Sequence, residues 1–277
     1  MTDGPVRFTV FTKRWKVPLP ELGRLVAALG FWGIELPVRP GYPVEPEHVS
    51  TGLPEAAKIL ADCGVTIHSV AGPADEPTIA ACAAAGVPIL RVMAKIGEDG
   101  YLATEKRLRA EYDALVPRLD AHGVTLGVQN HCGRWVGSAI GLRRLIEPYD
   151  PRHVAAVYDA AHCALDGEEP AMAVDILWDR LCLVNLKNAF WQRTNGPESE
   201  AAEWRWYWTS SRQGLASWPA VAAELTARGY DRPICLTAEY TDHAASDRLL
   251  RDDLAYAAEL FARKTGGSAQ ETEATAG

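Results

Sequence analysis

Short apolar runs alternate with amphipathic stretches eight times along this chain, and no other feature constrains its fold as tightly. The runs predict strands at Val6–Thr12, Gly33–Val38, Val65–Val70, Pro88–Met93, Val124–Gln129, Val154–Asp159, Cys182–Lys187 and Ile234–Glu239. The stretches between and after them predict helices at Leu19–Leu29, Pro54–Asp62, Thr78–Ala85, Thr104–Ala121, Ile140–Glu147, Ala171–Arg180, Trp218–Arg228 and Ala245–Arg263. Pro18 and Pro20 open the first helix and Gly30 closes it, the usual punctuation of a helix. Continuous apolar strands joined through helices are the mark of a parallel sheet buried on both faces. Open doubly wound sheets alternate in the same way. Eight units in 277 residues favour the closed (β/α)₈ TIM barrel, which takes about 250. Residues 1–265 are read as that single domain. The remainder, 266–277, is small and polar and is expected to be a disordered tail.

Side chains at the carboxyl ends of barrel strands converge on one mouth, so polar residues closing apolar strands are informative. The second strand carries Glu35 and the third His68. The fifth ends in Gln129, Asn130 and His131. The sixth ends in Asp159, with His162 three residues on. The seventh carries Asn185, Lys187 and Asn188, and the eighth ends in Glu239. Burying such groups unpaired is costly, so each needs a partner or a purpose. Glu35 has one candidate partner in Arg39 and another in an arginine across the barrel. Asn130 and Asn188 have a bland use in holding loop backbone.

One connection departs from the norm. Roughly thirty residues follow the seventh strand, where two to six are usual. They contain Trp191, Arg193, Trp204, Trp206, Tyr207 and Trp208. Aromatic rings stack on sugar faces, which suggests a substrate lid. Aromatic residues also favour subunit interfaces. Arg193 has the fork geometry for a carboxylate or phosphate.

Net charge is −8, which repels phosphodiester backbones and argues against nucleic acid as a partner. None of the six cysteines forms a Cys-x-x-Cys pair. Free thiols in a reducing, cytoplasmic setting are expected. No apolar run reaches the roughly 18 residues that would argue a membrane span, and no signal segment is visible.

Several strings together resemble the sugar phosphate isomerase/epimerase family of xylose isomerase-like TIM barrels. LGFWGIEL is similar to the family's second-strand string, VAAVYDAAHCAL to its Asp-x-x-His segment, LVNLKNA to its His-x-Lys-Asp segment, and GYDRPICLTAEY to its closing strand ending in Glu. The resemblance implies a divalent metal, Mn²⁺ or Mg²⁺, held at Gln129, Asp159, Asn185 and Glu239. Two positions depart from the family: Gln129 stands for a carboxylate and Asn185 for an imidazole. The resemblance also implies proton abstraction α to a carbonyl, with Glu239 as general base and His162, Lys187 or His131 as the acid. Glu35, His68, Asn188, Trp191, Arg193 and Trp208 complete the expected substrate-binding set. The substrate is expected to be a small carbohydrate, and the chain a homo-oligomer. Three functions stay open: a sugar isomerase or epimerase, a lyase of the same fold acting on a keto-sugar or 3-keto-glycoside, and a carbohydrate-binding barrel without catalysis. Apurinic-site endonucleases share the barrel, but this chain lacks several of their metal ligands.

Overall fold

All eight apolar runs form strands, and the strands close on one another. The computed structural model describes residues 6–262, so the expected tail at 266–277 lies outside the described residues. The first seven strands are β1 (Phe8–Phe11), β2 (Gly33–Pro37), β3 (Thr66–Ala71), β4 (Ile89–Met93), β5 (Thr125–Gln129), β6 (Val154–Asp159) and β7 (Leu181–Leu186). The long connection folds into an antiparallel hairpin, β8 (Asn188–Arg193) and β9 (Trp204–Thr209), and β10 (Ile234–Leu236) is the eighth barrel strand. The closed order is β1, β10, β7, β6, β5, β4, β3, β2, with every pairing parallel.

The helices ring the barrel: α1 (Leu19–Leu29), α2 (Val49–Asp62), α3 (Glu76–Ala84), α4 (Tyr101–His122), α5 (Ala139–Ile146), α6 (Ala160–Leu165), α7 (Pro170–Leu177), α8 (Trp218–Ala227) and α9 (Ser246–Ala262). Their apolar faces and the outer faces of the strands form the main core. α2 begins a turn before the expected Pro54, which sits inside it. A proline lacks only its own N–H and is best tolerated near a helix start. The short helix α6 was not expected, and it sets the geometry of the site.

A second apolar cluster fills the barrel interior. Phe11, Ala71, Ile89, Ala155, Val157, Cys182, Leu183 and Cys235 form it. Gly127 has to be glycine there, since a Cβ would lie 2.8 Å from Val157 Cγ2. This plug separates the two ends of the barrel. The six cysteines are free, and all but Cys63 are buried, as expected. No helix among the described residues is long and apolar enough to cross a membrane.

Candidate active site at the strand carboxyl ends

Asp159 ends β6 and caps α6. Its Oδ1 accepts from the N–H groups of Ala161 (3.1 Å) and His162 (3.3 Å). The Asp-x-x-His spacing therefore has a local cause: the aspartate turns the chain into a helix that carries His162 back over it, 3.8 Å from Asp159 Oδ2. Asn130 locks this corner. Its Oδ1 accepts from Asp159 N–H at 2.7 Å, and its Nδ2 donates to Asp159 O at 3.1 Å.

Lys187 is the hub of the mouth. Its buried ammonium lies 2.9 Å from His162 Nε2, 3.0 Å from Glu239 Oε2 and 3.7 Å from Asp159 Oδ2. Trp208 covers it, with Nζ 4.2 Å from the ring centroid. Glu239 Oε1 accepts from Lys13 Nζ at 2.8 Å. Although burial pushes Glu239 up, Lys187 and Lys13 together hold its carboxyl down to about 2. Burial raises the Asp159 carboxyl, and Lys187 opposes that shift. Burial lowers Lys187, but Asp159 and Glu239 outweigh it and leave its ammonium above its usual value. Burial and the neighbouring Lys187 keep the His162 ring neutral, well below its ordinary range. Lys187 Nζ faces Nε2, and the Cys132 N–H donates to Nδ1 at 3.2 Å with Cys132 Sγ at the same distance, so both ring nitrogens of His162 face donors. His131 stacks on His162 at 3.9 Å and is lowered by burial as well.

Beneath the mouth lies a fully buried ion pair. Arg91 Nε donates to Glu35 Oε1 (2.5 Å) and Oε2 (2.9 Å), and Ser69 Oγ donates to Glu35 Oε2 (3.3 Å). The partner across the barrel is therefore Arg91, not Arg39. Arg91 Nη1 also donates to Gln129 Oε1 (2.5 Å), and Gln129 Nε2 donates to Asp159 Oδ2 (2.7 Å).

A cavity of about 80 Å³ opens onto these groups. Lys13, Gln129, Asn185, Lys187, Thr237 and Glu239 contribute to its wall. Two oxygens there, Asn185 Oδ1 and Thr237 Oγ1, are buried and have no hydrogen-bond partner. A larger cleft of about 470 Å³ adjoins it through Lys13 and Glu239, with Tyr42 and Trp208 in its wall.

Several expected residues lie elsewhere. His68 lines the opposite, amino-terminal end of the barrel, with Ile89, Thr125 and Leu181. The pairing of β2 with β3 slips at Ile34/Glu35, so Ser69 rather than His68 meets Glu35. Asn188 binds backbone: its Nδ2 donates to Ser211 O and Ala216 O, and its Oδ1 accepts from Ala189 N–H and Ala216 N–H. Arg193 ties the hairpin turn, donating to Asn195 Oδ1 and Gly196 O. Trp191 donates to Leu165 O and is 40% exposed on the hairpin. Lys13 and Arg91 were not foreseen. Arg91 had one signal, a lone charge inside the apolar run PILRVM.

The four positions implied for a metal do not fit one. Gln129 spends its carbonyl on Arg91 and turns its NH₂ towards Asp159. Flipping the amide would set NH₂ against a guanidinium, so the orientation is fixed. The Lys187 ammonium already sits between the two carboxylates a cation would need. His131, Cys132 and His162 also cluster within 4.8 Å. However, His131 Nδ1 is engaged by Cys132 O, and both His162 ring nitrogens face donors, Lys187 Nζ and the Cys132 N–H.

Fold and site together define a parallel (β/α)₈ barrel with its polar groups gathered at the strand carboxyl ends. The chain belongs to the xylose isomerase-like TIM barrel family, whose description matches residues 24–260. Solved structures share the fold at low identity. The 3-keto-D-glucoside 4-epimerase of E. coli is 16% identical with a TM-score of 0.69, covering 91% of this chain and 98% of its own. The D-psicose 3-epimerase of Clostridium cellulolyticum H10, solved with D-tagatose, is 12% identical with a TM-score of 0.70, covering 92% and 99%. The probable 3-DHS dehydratase of Bacillus anthracis is 13% identical with a TM-score of 0.65, covering 90% and 98%. No curated protein matches in sequence.

Proposed function

We propose that this chain is an enzyme that isomerises or epimerises a keto-sugar by removing a proton α to its carbonyl. One observation carries the reading. A half-buried carboxylate, Glu239, and a buried ammonium, Lys187, meet beside two unpartnered oxygens, Asn185 Oδ1 and Thr237 Oγ1. Unsatisfied buried acceptors cost about 1–3 kcal/mol each, and sugar hydroxyls are donors of the right size to satisfy them. The sugar epimerases among the structural neighbours point to the same substrate class.

In the free protein Glu239 is ionised but weakly basic, because two ammonium groups hold its charge. A substrate carbonyl on Lys187 changes that balance. As the α-proton leaves, negative charge grows on the carbonyl oxygen and competes for the ammonium. Glu239 then loses part of its stabilisation and becomes a better base at the moment it takes the proton. Lys187 thus does electrostatic work on the developing enolate without a divalent metal. His131 is a further proton carrier on the cavity wall. Its Nδ1 engages Cys132 O at 2.8 Å, which leaves Nε2 free to accept.

The lyase reading shares this first step and gains support from Gln129, which has no proton to exchange where a second carboxylate would stand. The neighbouring dehydratase fits it. The exposed tryptophans of the hairpin support a homo-oligomer, and the six free cysteines support a cytoplasmic protein.

The test is proton exchange in deuterated water with D-fructose, D-psicose and a 3-keto-glucoside. Solvent deuterium at the α-carbon, lost in Glu239→Gln, is expected. Epimer or isomer as product supports the first reading, and an unsaturated product the lyase. No exchange with any of the three would leave a carbohydrate-binding barrel.

A further inference from the structure

The barrel has a second opening. At the amino-terminal ends of the strands a cavity of about 420 Å³ is walled by His68, Thr125, Arg152, Trp178, Arg180 and Arg232. The apolar plug lies between it and the mouth, with Ile89 and Cys182 belonging to both plug and cavity wall. It is therefore not part of the site described above.

Its charge is unusual for a chain of net charge −8. Arg232 donates to Leu181 O and has no carboxylate within ion-pair distance among the described residues. Arg7, close enough to depress His68, sits over the Trp32 ring and likewise has no carboxylate partner there. Arg180 donates to Tyr149 O and Ile146 O, which fixes its guanidinium. Its Nε–H is buried and makes no hydrogen bond. The nearest carboxylate oxygen, Asp179 Oδ2, is 3.8 Å away, and Asp179 is already engaged by Arg143. Arg152 is compensated by Asp150 at 2.8 Å, and Arg180 has only the Asp179 carboxylate that it shares with Arg143. His68 Nε2 is also buried without a partner.

Structural use explains Nη1 of Arg180, which caps two backbone carbonyls, and Nη1 of Arg232, which caps one. It does not explain two orphaned nitrogens on the wall of one cavity with three guanidinium groups around it. An oxyanion in the cavity would answer the uncompensated guanidinium charge, and guanidinium forks match phosphate oxygens bidentately. The volume falls in the range of small-molecule sites, about 300–1,000 Å³, and exceeds what inorganic phosphate fills.

We propose that this amino-terminal cavity is a binding site for a small phosphate-bearing molecule, held by Arg180, Arg232 and His68, at the end of the barrel away from the mouth. The proposal does not depend on the reaction assigned to the mouth.

The probe is inorganic phosphate, added to the full chain at constant ionic strength with chloride as reference. A saturable rise in Tm is expected, and Arg232→Gln should weaken the apparent affinity at least tenfold. Lys13→Gln, at the mouth, should leave it unchanged. A rise that survives Arg232→Gln but vanishes in Lys13→Gln would place the anion at the mouth and overturn the proposal, as would no rise beyond chloride. Acetate shifting Tm as strongly as phosphate would overturn the preference for phosphate. NMR titration of the His68 ring gives a readout on the unmutated chain. Bound phosphate should move its pKa upward from about 4, because an anion offsets the neighbouring guanidinium groups. No movement under saturating phosphate would also overturn it.

Discussion

At the scale of single residues, the site is an exchange of charge among Lys13, Glu239 and Lys187. Two ammonium groups hold the Glu239 carboxyl down to about 2. A carboxylate with a depressed pKa stays ionised down to that value, so Glu239 should impose no acid limb on kcat/KM between about pH 4.5 and 8. Lys13→Gln removes one of the two ammonium groups. The Glu239 pKa should then rise towards its ordinary 4.5, and an acid limb should move up into the measurable range. An unchanged profile would mean that Lys13 does not hold this charge. The same triad predicts metal behaviour. After Mn²⁺ loading and desalting, mass spectrometry should find well below one equivalent on the natural chain. Lys187→Met frees both carboxylates and should retain more. Near-stoichiometric metal on the natural chain would show that the ammonium yields its place. Asp159, His162 and Glu239 were legible in the sequence because each stands at the carboxyl end of an apolar strand or one helical turn beyond it. Arg91 and Lys13 were not, because what defines them is a partner on another strand. His68 was misplaced because a register slip in β3 cannot be seen in a string that alternates correctly.

At the scale of elements, two departures from regularity aim the site. β10 ends at Leu236 although its apolar run continues, because Ala238 adopts φ 52°. A left-handed non-glycine residue costs about 1 kcal/mol or more, and here it turns the chain just before Glu239. The hairpin β8–β9 is the second departure. Trp204, Trp206 and Trp208 alternate along β9 and so share one face. Trp191 opposes Trp206 across the ladder. The ladder's inner end is Trp208 over Lys187, and its outer end is Trp204, 58% exposed. Sequence showed the aromatic content of this connection but not the pairing, since long loops carry no period that distinguishes a hairpin from a coil. The two ends should behave differently on substitution. Trp208→Ala removes the ring from the ammonium and should weaken substrate binding about tenfold, or roughly 1.4 kcal/mol. Trp204→Ala should leave KM unchanged. Light scattering on the Trp204 variant tests the other reading of the hairpin. A shift to a smaller species would make its outer end a subunit contact.

At the scale of the whole molecule, the plugged barrel keeps two polar ends apart, and each holds histidines that burial keeps neutral. At the mouth these are His131 and His162, and at the other end His68, lowered to about 4 by burial, Arg7 and Arg232. The unfolded chain takes up a proton on His68 near 6.5, and the folded chain does so only near 4. Between those values the unfolded state binds more protons, so stability rises with pH and is lost as pH falls from 6.5 to 4. Glu239 adds a loss of its own at lower pH, because its depressed carboxyl stabilises the fold above 4.5 and ceases to do so as pH falls towards 2. Asp159, Asp166 and Asp253, whose carboxyls are raised by burial, act in the opposite sense, losing stability as pH rises above 3.8. Total stability against pH therefore mixes opposing contributions, and only a difference between two chains isolates one group. His68→Gln keeps a neutral polar side chain and leaves every carboxylate in place. Urea midpoints measured at pH 4.5, 5.5, 6.5 and 7.5 should fall less steeply below 6.5 in the variant, by up to one proton's worth of slope. The two curves should run parallel above 7. Parallel curves throughout would mean that His68 accepts its proton in the folded state as readily as in the unfolded one, and that the guanidinium groups beside it are already neutralised.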